Sequence, residues 1–331
     1  MTKTAARSGW RDGNDAWRYA FSRIVQSAFV LWAAYTVSFV ILYILPSDPV
    51  SIMLNQGDQS MVDPAQVAAL RAQYHLDEPL LVQYGIALWQ ALRLDLGVSI
   101  QTGQQVAAML AQAAPATAAL ALCALAAALV LGLGLALAAS SARNARLRSA
   151  LQAAPSLGVC LPTFWVGLLL LQWLSFTFPV FSAMGNDGWQ SLVLPAATLA
   201  LPTAATVAQV LSRSLSAVWG QPFVGALRAK GLSRRRLLFT HVLPNATIPV
   251  LTMTGVLMGN LLAGSVVTET VFSREGIGRL AQGAVAVKDI PVVQGVVVLA
   301  AAVFVAVNLV VDLAYPLLDP RITRNRARAL A

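Results

Sequence analysis

Residues 222–249 read PFVGALRAKGLSRRRLLFTHVLPNATIP, a basic, glycine-punctuated segment held between two long apolar runs. A chain that only had to turn back across a membrane would do so within a few residues. Here the connection is far longer and, counting Arg213 just upstream, carries six Lys and Arg. Pro222 suits the first turn of a helix, where its missing N–H costs nothing. Phe223, Ala226, Leu227 and Lys230 follow at helical steps, and Ala226 and Ala229 are small enough for close approach by a partner. Gly231 stands where a left-handed glycine would end that helix. Ser233 is placed to cap the next one, which runs through Arg234, Arg235 and Arg236 into Leu237 and Leu238. Charge alone equally describes a solvated basic loop. The helix, glycine, helix pattern adds a docking element for another protein.

The chain has 331 residues, of which 57% are hydrophobic and 11% charged, and its mean hydropathy is +0.68. Soluble domains carry about 25% charged residues, so the bilayer is the solvent of this chain. In a soluble protein the net charge of +9 would point to nucleic acid. Here the basic residues lie between apolar spans, and no nucleic-acid partner is expected.

Charge-free stretches place six transmembrane helices at about 21–44, 114–139, 150–178, 192–212, 246–267 and 290–316. With the N-terminus inside, eighteen Lys and Arg fall on the inner side and five on the outer side. This asymmetry predicts cytoplasmic N- and C-termini. The expected fold is therefore all-α and integral to the membrane. A cytoplasmic tail covers 1–20, the membrane domain 21–316 and a second tail 317–331. An extracytoplasmic segment spans 46–113 and the basic cytoplasmic loop 213–245. The first apolar run is too long for a signal peptide's core and lacks a small-residue cleavage site, so it reads as an uncleaved span. Leu81, Tyr84, Leu88 and Leu92 in the outer segment have helical spacing, and Tyr84 and Trp89 suit the headgroup level.

Spans two to four carry Gly132, Gly134, Pro155, Gly158, Pro162, Gly167, Pro195 and Pro202. Small residues permit close helix approach and prolines bend helices. Mid-membrane acids of the kind a proton- or sodium-driven carrier uses are lacking. No phosphate-binding Gly-rich loop ending in Gly-Lys-Ser/Thr is present, and no hydrolase motif. His75 and His241 are the only histidines, and Cys123 and Cys160 lie in apolar runs, so no metal site and no catalytic residues are expected. Any energy source must lie on another chain.

The basic segment resembles the EAA loop of binding-protein-dependent ATP-binding-cassette (ABC) importers, in the dipeptide, oligopeptide and nickel permease group. The matching residues are Phe223, the run Ala226-Leu227-Arg228-Ala229-Lys230-Gly231-Leu232-Ser233, His241, Asn245-Ala246 and Pro249. The name-giving triplet reads Gly225-Ala226-Leu227, so its acid is missing. Other matches run in order along the chain. Leu45-Pro46-Ser47-Asp48-Pro49 is similar to the family's motif after span one, and Asp95-Leu96-Gly97-Val98-Ser99 to its Asp-Leu-Gly-x-Ser. Glu269-Thr270-Val271-Phe272 with Gly276-Ile277-Gly278 resembles an outer re-entrant motif, and Asp289-Ile290-Pro291 and Asp319-Pro320-Arg321 complete the series.

The resemblance implies a non-enzymatic permease subunit in a bacterial inner membrane, half of a translocation pathway shared with a homologous second permease. It implies two ATPase subunits that hold ATP-Mg, an extracytoplasmic solute-binding protein, and no cofactor on this chain. ATPase docking would fall to Phe223, Ala226, Leu227, Arg228, Ala229, Lys230 and Gly231, and the extracytoplasmic motif to Glu269, Phe272, Gly276 and Gly278. Peptides, nickel and metal chelates are the solutes of this group; Gly188-Trp189-Gln190 leans towards nickel. A stand-alone secondary transporter and a non-transporting scaffold are the alternatives.

Overall fold

The computed structural model describes residues 13–44, 78–182 and 184–318. The motif at 45–49, most of the outer segment up to 77 and the Asp319-Pro320-Arg321 tail lie outside the described residues. The described elements are helical, apart from a single antiparallel bridge between Val98 and Gln105. In chain order they are α1 (Gly13–Ile44), α2 (Leu80–Leu92), α3 (Val106–Ser141), α4 (Ala145–Cys160) and α5 (Thr163–Leu171). Then come α6 (Gln190–Trp219), α7 (Pro222–Ala229), α8 (Arg234–Leu237), α9 (Leu243–Ala246), α10 (Ile248–Val271), α11 (Ile277–Ala286) and α12 (Ile290–Leu318). One π-helical turn extends α5 over Gln172–Thr177, and another joins α8 to α9 over Leu238–Val242.

Five of these helices are long and apolar enough to cross a bilayer, and a sixth crossing exists if α4 and α5 together make one. The sequence pattern treats 150–178 as one span, bent by its prolines. α4 and α5 meet at a 94° bend. Pro162 causes the break: it has no N–H for the helix ladder, and it holds Leu161 extended at φ −79°, ψ 129°. Other helices run past their expected limits: α3 starts at Val106, still within a charge-free stretch, and α6 continues beyond Arg213 to Trp219. Side-chain charge marks where hydrocarbon ends, whereas backbone hydrogen bonding decides where a helix ends.

The central pair is α3 against α6. Its close approach is carried by Gly132, where a Cβ would stand 2.7 Å from Val207 Cβ and 2.8 Å from the Ala204 carbonyl oxygen. Around it are Ala124, Ala128, Ala136, Ala200, Ala204 and Ala208, all buried. Bilayer helices associate through such packing because lipid removes the hydrophobic drive. Gly134, by contrast, meets nothing within 4 Å. α10 completes this core through Val250 and Leu257. α1 packs on α12 at the periphery and exposes Phe29, Trp32, Val37 and Ile41, an apolar lipid-facing surface.

α2 is tied to α1 by Tyr84, whose hydroxyl lies 2.8 Å from Thr36 Oγ1 and whose ring meets Phe39 edge-on at 5.3 Å. Its outer face presents Leu81, Trp89 and Leu92, as suits a helix at the membrane surface.

Candidate functional site

The chain reverses at two ends of the bundle, and each end is built by residues distant in sequence. At one end, α6 finishes at Trp219 and α7 begins with Pro222 at its first turn. α7 closes with a paired cap: Gly231 N–H donates to the Arg228 carbonyl at 2.9 Å and Leu232 N–H to the Leu227 carbonyl at 3.3 Å. This cap requires a left-handed residue, and Gly231 has φ +84°. Leu227 and Leu232 both pack on the core, the apolar contact that accompanies such caps. Ser233 Oγ then accepts the Arg236 N–H at 3.4 Å to start α8.

The docking residues expected from the sequence divide in two. Phe223, Ala226, Arg228, Ala229, Lys230 and Gly231 are exposed. Leu227 is half-buried and packs against the chain's own core. The stronger anchor is Val224, 2% exposed, which joins Leu211, Leu215, Leu237, Val242, Val250 and Leu257 in one apolar cluster. The same cluster also draws residues from α3, α6 and α10. Helical steps counted from Phe223 miss Val224 because its partners come from other elements. Trp219 is likewise unforeseen: the guanidinium groups of Arg228 and Arg234 lie 5.3 and 5.7 Å from its ring centre. Arg234 also donates to the Ser140 carbonyl at 3.1 Å, holding α8 to the end of α3.

The opposite end is organised around Glu269, which sits in the last turn of α10 and is 1% exposed. Its Oε1 accepts the Thr117 hydroxyl of α3 at 2.6 Å. Its Oε2 accepts the backbone N–H groups of Gly278 at 2.8 Å and Arg279 at 3.2 Å. Thr117 Oγ1 in turn accepts the Ile277 N–H at 2.8 Å. The first N–H groups of α11 have no partner within their own helix. Two membrane helices satisfy them from outside, and the carboxylate meets the positive end of the helix dipole.

Both glycines of the motif are required by this arrangement. A Cβ at Gly276 would collide with the Glu269 carboxylate, and one at Gly278 would stand 2.5 Å from Val266 Cα. Phe272 is 1% exposed and packs with Leu171 and Leu194. Glu269, Gly276 and Gly278 therefore meet in one assembly, while Phe272 packs on α5 and α6.

Arg274, 4% exposed, extends the assembly to α6. Its Nη1 donates to the carbonyls of Gly185 and Ser191 and to Ser191 Oγ, at 3.0–3.1 Å. The Ser191 carbonyl needs such a donor because Pro195, four residues on, has no N–H to offer. Burial lowers the Arg274 pKa from its usual value, and the Glu269 charge opposes that shift. Asn186 and Glu275 exchange two 3.1 Å hydrogen bonds between side-chain amide and backbone. Neither Thr117 nor Ser191 is evident in the sequence pattern, although a lone Thr in an alanine-rich span is a visible anomaly.

The Asp-Leu-Gly-x-Ser stretch joins the same end. Asp95 Oδ1 accepts the Gly97 N–H at 3.0 Å, and Gly97 turns the chain at φ +77°. Ser99 Oγ donates to Asp289 Oδ2 at 2.5 Å, and the N–H groups of Ile100 and Gln101 also reach that carboxylate. Asp289 directly precedes α12, so two motifs 190 residues apart form one latch. Beside it lies an open cavity of about 500 Å³ whose lining includes Gln101, Gln104, Gln112, Glu275 and Arg279. Among the described residues no group of three or more His, Cys, Asp or Glu could hold a metal.

A helical membrane domain bearing a glycine-capped basic helix at one end and an acid-capped helix at the other suits a membrane subunit that docks partners at both ends. Residues 128–324 match the family described as binding-protein-dependent transport system inner membrane component, and the chain belongs to that family, as a permease subunit of an ABC importer. A putative peptide transport system permease protein of Brucella abortus (strain 2308) is 33% identical over 91% of this chain and 97% of its own length. The dipeptide transport system permease protein DppB of Bacillus subtilis (strain 168) is 32% identical over 93% of this chain and 99% of its own. The glutathione transport system permease protein GsiC of Escherichia coli O6:H1 is 31% identical over 92% and 98%. A chain from an inward-facing structure of the MetNI methionine ABC transporter shares the fold, with a TM-score of 0.56 at 16% identity over 64% of this chain and 96% of that one. The relatives are named as transport subunits, as expected for a chain that is not itself an enzyme.

Proposed function

We propose that this chain forms half of the pathway of an importer for short peptides in a bacterial inner membrane, with both termini in the cytoplasm. A homologous permease supplies the other half, two ATPase subunits bind ATP-Mg, and a solute-binding protein delivers peptide to the outer face. The observation that carries this reading is the attachment of α7 to the membrane core. Val224 and Leu227 fix one side of the helix among α3, α6 and α10, while Phe223, Ala226, Ala229 and Lys230 stay exposed for the ATPase. A push on that outer side is transmitted to three spans as one packed body, because close-packed interiors deform little. The names of the relatives, peptide, dipeptide and glutathione permeases, favour peptides over nickel as solute.

The Glu269 assembly plays the complementary part on the outer side. It ties α3, α6, α10 and α11 together where the solute-binding protein would dock, so movement of the spans changes the shape offered to that protein. ATP binding on the partner subunits would draw the two α7 helices together and turn the pathway outward. Hydrolysis would return it.

The test is reconstitution. The chain should co-purify with its ATPases, and proteoliposomes containing the complex and its binding protein should take up labelled di- and tripeptides only with ATP. A chain that purifies without ATPase, or a complex that moves nickel and not peptide, overturns the reading.

A further inference from the structure

The uncovered face of α10 differs from the lipid-facing surface of α1. Thr252, Val256, Asn260, Ala263, Val267 and Thr270 are all exposed, and at 3.6 residues per turn they lie within about 80° of one another around the helix. The rest of the circumference is covered by α3, α5, α6, α11 and α12. Asn260 sits at the middle of Ile248–Val271, hence near the centre of the bilayer. Among the described residues nothing hydrogen-bonds its carboxamide. The contrast with Asn308 is direct: that amide donates to the Phe304 carbonyl at 2.8 Å and packs over Gly255.

A carboxamide facing hydrocarbon without a partner is strongly disfavoured. Polar groups at that depth face a protein partner or a water-filled path. Thr252 and Thr270 lie on the same face, but their hydroxyls donate to the Ile248 and Val266 carbonyls of their own helix at 3.0 and 2.7 Å, so Asn260 alone carries the polar demand at its centre.

We propose that this face of α10 lines the solute pathway, and that Asn260 is its mid-membrane contact for the backbone amides of a peptide in transit. The inference rests on the importer reading. A primary carboxamide donates two hydrogen bonds and accepts through its carbonyl, which matches the N–H and C=O that every peptide group presents. It recognises the backbone whatever the side chains are. Being uncharged, it also holds a passing solute weakly enough to release it, as a conducting site must. Val256 and Ala263, one turn to either side, leave space for side chains of different size.

Two measurements test it. In a background of Cys123→Ala and Cys160→Ala, single cysteines at Asn260, Val256 and Ala263 should react with a small membrane-impermeant thiosulfonate in reconstituted vesicles. A cysteine at Trp32, on the lipid-facing side of α1, should not. No reaction at Asn260→Cys and Ala263→Cys means that the face is packed against protein or lipid, and the proposal fails. Separately, Asn260→Leu should lower dipeptide uptake by roughly tenfold, the upper range for one neutral hydrogen bond. Asn260→Gln should restore part of the loss. Normal uptake in Asn260→Leu overturns the contact even if the face is wet. A wild-type complex that moves no peptide refutes the importer reading instead, and the labelling result then still decides whether the face is wet.

Discussion

Thr117 and Glu269 share a 2.6 Å hydrogen bond across 152 residues of chain, and together they supply the missing acceptors for the first turn of α11. The arrangement makes the position of α11 depend on the spacing of α3 and α10. A change in that spacing must either move α11 with it or break hydrogen bonds to a buried carboxylate.

Replacing Glu269 with Ala should therefore leave the Gly278 and Arg279 N–H groups and the Thr117 hydroxyl without an acceptor. Hydrogen bonds to charged groups are worth about 1.5–3 kcal/mol each. The detergent-solubilised protein should lose several degrees in thermal stability. Glu269→Gln, which keeps one acceptor oxygen, should lose less. Equal stability in all three proteins would show that the assembly contributes nothing measurable.

At the opposite end, Gly231→Val forces a β-branched residue into a φ of +84°. A non-glycine residue in the left-handed region costs about 1–2 kcal/mol, and a β-branched one fits it worst. No neighbour lies within 4 Å of a Cβ there, so the fault is local to the cap. Insertion and folding should persist while ATP hydrolysis is uncoupled from uptake. Normal uptake in this variant would count against a docking role for α7.

Val224→Ala probes the same coupling from the inside. Full burial of a valine side chain contributes about 1.5–3 kcal/mol, and Val224 is 2% exposed. This variant leaves the exposed face of α7 unchanged. It should retain ATPase binding in a pull-down and yet lower uptake per ATP hydrolysed. Parent-like uptake per ATP hydrolysed would show that α7 is not anchored as described.

Gly132→Leu and Gly134→Leu form a matched pair. The first drives a side chain into Val207 and the Ala204 backbone, whereas the second enters open space. Overpacking costs about 1–3 kcal/mol when a core cannot yield, and here part of the obstacle is backbone. The first variant should express poorly or unfold earlier on heating, and the second should behave as the parent. A parent-like Gly132→Leu would mean that α3 and α6 separate more easily than their packing indicates.

Asp289→Ala should release the 97–105 turn, which is held through Ser99 Oγ and the N–H groups of Ile100 and Gln101. Hydrogen exchange across 99–104 should accelerate while α12 stays protected. Unchanged exchange would show that the turn is held by its own bridge to Gln105.

Much of the local chemistry was legible. Pro222, Gly231 and Ser233 announce where α7 and α8 begin and end because caps depend on a few consecutive residues. The bend at Leu161–Pro162 was legible only in part: a proline inside an apolar run signals disturbance, but not whether a helix kinks or turns through 94°. Leu227 was expected among the docking residues, and the structure packs it half-buried on the core; helical spacing groups residues by face without saying which face is covered. Arg274 and Ser191 could not be paired by spacing. Their link needs a carbonyl freed by Pro195 on one helix and a guanidinium arriving from another.

From the sequence by itself came the membrane class, the approximate spans, the capped basic helix and the order of the family motifs. Each of these follows from short-range physics: the thickness of hydrocarbon, the cost of charge within it and the backbone limits of glycine and proline. Only the tertiary structure decided which residues satisfy one another. Glu269 takes Thr117, Asp289 takes Ser99, and Val224 joins an apolar cluster drawn from α3, α6 and α10. A buried polar group must find its partner wherever the fold brings one, and separations of 152 and 190 residues leave no local trace of that choice.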